Sequence, residues 1–72
     1  MKVGDPVIFT AWDNLYAKYF AGKIAVVKSV RINSSGEKYC SVQWLIPVKY
    51  YDKWVGISSF NAKYFEVYDG NE

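Results

Sequence analysis

Apolar and polar positions alternate with a period of two along most of this chain, the pattern of strands that bury one face. The first such run begins at Val7-Ile8-Phe9 and is expected to span residues 7–12, with Pro6 at the edge, where its missing N–H does no harm. The richest run covers residues 23–32. Ile24, Val26, Val30 and Ile32 share one face there; Lys23, Ala25, Val27, Ser29 and Arg31 share the other. Lys28 interrupts the more apolar face, which predicts a β-bulge between Ile24 and Val30 and makes this the long, bent strand of the sheet. Asn33-Ser34-Ser35-Gly36 is a hairpin turn into residues 38–46, with Cys40, Val42, Trp44 and Ile46 facing inward and Tyr39, Ser41 and Gln43 outward. Pro47 is expected to stop or edge that strand. Trp54-Val55-Gly56-Ile57 reads as a fourth strand, residues 58–62 as one 3₁₀ turn, residues 64–68 as a last strand and residues 69–72 as a frayed tail.

Two stretches fall outside the alternation. Residues 15–20 (Leu-Tyr-Ala-Lys-Tyr-Phe) are aromatic without a clean period and are read as a long ordered loop; a single helical turn capped by Asp13 is the alternative. Residues 49–53 (Lys-Tyr-Tyr-Asp-Lys) form a second aromatic, charged connection. The fold class that results is all-β, a five-stranded small barrel with a short 3₁₀ turn before the last strand, which removes sheet edges by closing.

Composition changes this picture in one respect. Seventy-two residues leave room for one domain of marginal core size. The usual reinforcements of so small a chain are disulfides, a metal or oligomerisation. Cys40 is the single cysteine and there is no histidine, so neither an intrachain disulfide nor a Cys/His metal site is expected. The bulk is aromatic instead: three Trp, seven Tyr and four Phe in a chain that is 51% hydrophobic. Phe9, Phe20, Val26, Val30, Val42, Trp44, Phe60, Phe65 and Val67 fill the expected core. Trp12, Tyr16, Tyr19, Tyr50, Tyr51 and Trp54 are then surplus, concentrated in the two connections.

Several short motifs fall in a familiar order: Val3-Gly4-Asp5-Pro6-Val7, Gly22-Lys23-Ile24-Ala25-Val26-Val27, Gly36-Glu37-Lys38-Tyr39, Val42-Gln43-Trp44, and Phe60 five residues before Phe65-Glu66-Val67. Together they resemble SH3-like barrels, and their spacing is most similar to the small photosystem I stromal subunit of this fold. The ferredoxin-docking subunit of the photosynthetic NDH complex and, more weakly, the variable chain of ferredoxin-thioredoxin reductase are also similar. The resemblance implies an SH3-like barrel acting as a small subunit or accessory protein of a larger complex. The chain differs in having Trp44 where a Phe is typical, extra residues 50–54, and no strongly basic strand.

Candidate chemistry narrows the function classes. With no histidine to act as a base near neutral pH and none to activate Cys40, the chain is read as a non-enzyme that needs no cofactor. A net charge of +2 nominates no partner by itself. The favoured reading is a binding module whose loops 12–20 and 47–54 form an aromatic groove. Trp12, Tyr16, Tyr19, Tyr50, Tyr51 and Trp54 are its anchors, and Lys49, Asp52 and Lys53 its polar rim. The alternative is a nucleic-acid surface, with Lys23, Lys28, Arg31, Lys49, Lys53 and Lys63 tracking phosphates beside stacking rings. Strand addition at a sheet edge and homo-oligomerisation remain open modes of association. No apolar h-region follows Met1 and no run approaches membrane length, so a soluble, cytoplasmic protein is expected.

Overall fold

The computed structural model describes residues 1–68. The expected tail at 69–72 lies outside the described residues. The elements are β1 (Pro6–Phe9), a one-turn helix α1 (Ala17–Phe20), β2 (Ile24–Ile32), β3 (Lys38–Tyr50), β4 (Lys53–Asn61), a 3₁₀ turn (Ala62–Tyr64) and β5 (Phe65–Val67). All strand pairings are antiparallel in one five-stranded sheet of order β4-β3-β2-β1-β5. The all-β class, the five strands and the 3₁₀ turn before the last strand are therefore as expected. Among the described residues β4 and β5 do not pair with one another, so the sheet is open. It is nonetheless curled, because Phe9 of β1 meets Phe60 of β4 at 5.3 Å and Trp44 of β3 meets Phe65 of β5 at 6.1 Å between ring centroids.

The register shows which face of each strand is inside. Val7 pairs with Ala25, Val27 with Val42, and Ala25 with Trp44, and all of these are buried. The core face of β2 therefore begins with Ala25 and Val27, opposite to the Ile24/Val26 face that side-chain size favoured. Both faces of this strand are apolar, and bulk alone chose the wrong one. The bulge is present between Val27 and Ser29 and switches the phase, so that Val30 joins the core side opposite Cys40. Val26 is only half-buried and Val67 is exposed, which removes both from the expected core; Val7, Ala25, Val27, Cys40 and Val48 take their place.

The first strand ends at Phe9 instead of continuing to residue 12: the Thr10 N–H still donates in register to the Tyr64 carbonyl at 2.8 Å, but the Trp12 N–H turns back onto the Thr10 carbonyl at 3.0 Å. Residues 17–20 form a helical turn, the alternative to a continuous loop. Asn14, not Asp13, serves its entry: its Oδ1 accepts from the Tyr16 N–H at 2.8 Å.

Pro47 does not stop β3. The strand absorbs it in an irregularity: Gln43 faces Ile57 and Val48 faces Val55, so residues 44–47 stand against Gly56 alone. Ile46, expected inward, is ejected there and is exposed, while Val48 returns to the core. β3 is consequently the longest strand, and residues 49–53 are a tight hairpin, not a long connection. Residues 58–61 extend β4, and the 3₁₀ turn follows at Ala62–Tyr64, where Asn61 Oδ1 accepts from the Lys63 N–H at 3.0 Å.

Candidate functional site

The hairpin Tyr50-Tyr51-Asp52-Lys53 brings the end of β3 against α1. Tyr50 pairs with Lys53, leaving only Tyr51 and Asp52 as turn residues. Tyr51 has φ 56°, a left-handed conformation normally taken by glycine or asparagine at such a turn. Its ring packs edge-on to Tyr50 at 4.6 Å and lies 5.5 Å from Tyr19 of α1. Tyr19 meets Tyr50 at 4.7 Å, and Tyr16 lies 6.2 Å from Tyr50 and 5.2 Å from Phe60. Four of the six surplus aromatics thus form one cluster from segments more than thirty residues apart.

The cluster is anchored in the core. Tyr50 stacks on Phe20 at 5.6 Å, and Phe20 stacks on Trp44 at 5.0 Å, with interplanar angles of 27° and 18°. The Trp44 indole N–H donates to Ser58 Oγ at 2.9 Å, so the core side of this column leaves no polar atom unpaired. Each well-placed ring pair adds about 0.5–1.5 kcal/mol beyond its area. The column therefore holds the outer tyrosines in place.

Two clefts flank the Tyr16/Tyr50 pair. One, of about 340 Å³, is lined by Tyr16, Phe20, Tyr50, Val55, Ser58 and Phe60 among others. The second, of about 250 Å³, is lined by Leu15, Tyr16, Lys18, Tyr19, Tyr50 and Tyr51. Lys18 is the only charged side chain in either lining, and its Nζ sits 5.1 Å from the Tyr19 ring centre. Burial, followed by the neighbouring Tyr51 phenol, pushes the Tyr50 hydroxyl above the usual tyrosine range. The surface thus combines apolar ring faces with hydroxyl donors.

The remaining anchors stand apart. Trp12 is 70% exposed and lies over Gly22, and Trp54 is 69% exposed opposite Lys49; neither ring joins the tyrosines. Lys49, Asp52 and Lys53 are exposed around the hairpin, the positions expected of a rim. The nucleic-acid set is spread over several elements. Lys49 and Lys53 sit at the tyrosine hairpin, Lys28 at the β2 bulge, and Lys23, just before β2, and Arg31, near its end, are about 25 Å apart at strand rise. Lys63 lies in the 3₁₀ turn. Leu15, Lys18 and Phe60 also line the clefts, and no one-dimensional pattern places them beside residues 50–51.

Cys40 is buried with its thiol held above the ordinary range by desolvation, the environment of an inert packing residue. Among the described residues no group of three or more His, Cys, Asp or Glu gathers as a metal site. No helix of the described residues is long and apolar enough to cross a membrane. Comparison of the chain with protein-family models, curated proteins and solved structures gives no match in any of the three.

Proposed function

We propose that this chain is a non-enzymatic binding module, built as a small SH3-like barrel, that docks a protein partner on Tyr16, Tyr19, Tyr50 and Tyr51. The observation that carries this reading is a cluster of four tyrosines fixed ring to ring on a core column and bordered by two clefts. Rigid tyrosines bind at low entropic cost, because few rotatable bonds must be frozen and each ring offers an apolar face and a polar tip. The left-handed Tyr51 adds support. A bulky residue in that conformation costs about 1–2 kcal/mol, a strain that folding alone has no reason to keep. The barrel reading draws on the strand order, the 3₁₀ turn before β5 and the ring contacts across the curled sheet. An accessory role in a larger assembly is consistent with this small, contact-rich surface.

The test is affinity capture from the native host, comparing the unmodified chain with a Tyr16→Ala/Tyr51→Ala double variant and identifying captured proteins by mass spectrometry. Both rings are exposed at their outer edges, so the variant is expected to stay folded, with an unfolding transition lowered by the lost ring contacts, and to lose the specific partner. Identical captures by both proteins would refute the tyrosine surface. A parallel titration with single-stranded DNA and RNA at two salt concentrations is expected to give no salt-dependent binding tighter than the non-specific range of about 10⁻⁴ M.

A further inference from the structure

The two edges of the sheet are protected very differently. β5 spans three residues and carries Glu66 at its centre, which together are common devices that prevent an edge from pairing. β4 spans nine residues, Lys53 to Asn61, and after Lys53 contains no charge and no proline. Its ladder is formed with β3 on one side only. Among the described residues no other backbone hydrogen bond reaches β4. Apart from Lys53 at its start and the ladder irregularity opposite Gly56, the outer row of N–H and C=O groups is therefore unpaired and carries no charge or proline. Ile57, near the middle of the strand, is 62% exposed.

We propose that β4 pairs in antiparallel fashion with β4 of a second copy, joining two five-stranded sheets into one. The occupant follows from the strand's own chemistry. An antiparallel edge meeting its twin is an isologous contact, in which each hydrogen bond and side-chain pair is made twice. Because residues 54–61 are uncharged, no register that overlaps them about Ile57 sets like charges opposite one another. The short, acidic β5 blocks continued growth at the far edges, so the assembly closes as a dimer and does not extend into a fibre. Oligomerisation is also the reinforcement left to a 72-residue chain with a single cysteine and no histidine. Val55, Ser58, Ser59 and Phe60 of β4 line the larger cleft, so the junction brings the two clefts close together.

Sedimentation equilibrium across a concentration series, combined with amide hydrogen exchange, tests the proposal. The unmodified chain is expected to be dimeric at high concentration. Slowed exchange of β4 amides should grow with concentration, while β5 amides stay unchanged. Ile57→Lys on β4 should weaken dimerisation by about tenfold through two facing lysines. Val67→Lys, at a comparably exposed site on β5, should leave it intact. A chain that stays monomeric at ~1 mM overturns the proposal, as do concentration-independent β4 exchange or equal weakening by both substitutions. The exchange measurement uses the unmodified chain and decides the question even if Ile57→Lys does not fold.

Discussion

The two hairpins that bound β3 solve the same geometric problem by opposite means. At the β2–β3 end, Asn33 Oδ1 accepts from the Ser35 and Glu37 N–H groups at 3.0 and 2.9 Å, and Gly36 takes φ 83° at no steric cost. Each residue there suits its backbone, and its side chains are exposed without ring contacts to the core. At the β3–β4 end, Tyr51 takes φ 56° against its own preference and is held by Tyr19 and Tyr50. The first turn is optimised for folding. The second holds Tyr51 in a strained conformation, and packing against Tyr19 and Tyr50 offsets that strain.

The largest expected effect tests the support beneath the second hairpin. Phe20→Ala removes the buried ring between Trp44 and Tyr50 and is expected to destabilise the chain by about 3–5 kcal/mol in denaturant unfolding. A loss below ~1 kcal/mol would mean that the tyrosine hairpin stands without the column.

A sharper contrast comes from the turns themselves. Gly36→Ala forces a Cβ into a left-handed conformation and should cost about 1–2 kcal/mol, although the added carbon meets no neighbour. Tyr51→Asn instead relieves strain while deleting two ring contacts, so its net change should stay within about 1 kcal/mol while partner capture falls. If Tyr51→Asn proves the more destabilising of the two, the second turn is a folding element like the first, and the comparison fails.

The smallest effect is electrostatic. The Tyr50 phenol is raised in the folded chain relative to its ordinary value near 10, so its neutral form is favoured by folding. Its contribution is present below pH ~10 and is lost as pH rises through the elevated folded value. Phenolate absorbance should show one tyrosine titrating late, and Tyr50→Phe should remove both that late step and its share of the alkaline loss of stability. A late step that survives Tyr50→Phe, with the lost phenolate signal coming from the ordinary range instead, would show that the phenol is not perturbed by its neighbours.

Most of the sheet was legible in the chain because alternation, turn residues and the misplaced Lys28 are local signals. The β2–β3 hairpin, its bulge and the inward set Cys40, Val42 and Trp44 all follow from them. Which face of β2 is inside did not, since both faces are apolar and only the register against Val7, Val42 and Trp44 selects Ala25 and Val27. Pro47 misled for a related reason. A proline predicts a lost hydrogen bond, whereas the irregularity opposite Gly56 lets the strand resume.

The sequence by itself determined an all-β chain with more rings than one small core holds, because period, turn chemistry and composition are properties of neighbours along the backbone. Tertiary structure alone decided that Tyr16 and Tyr19 meet Tyr50 and Tyr51 while Trp12 and Trp54 stand apart. It alone also left β4 as the longer and less guarded edge. Such juxtapositions depend on register and on the curl of the sheet, and these are set by which long-range contacts bury the most apolar surface together.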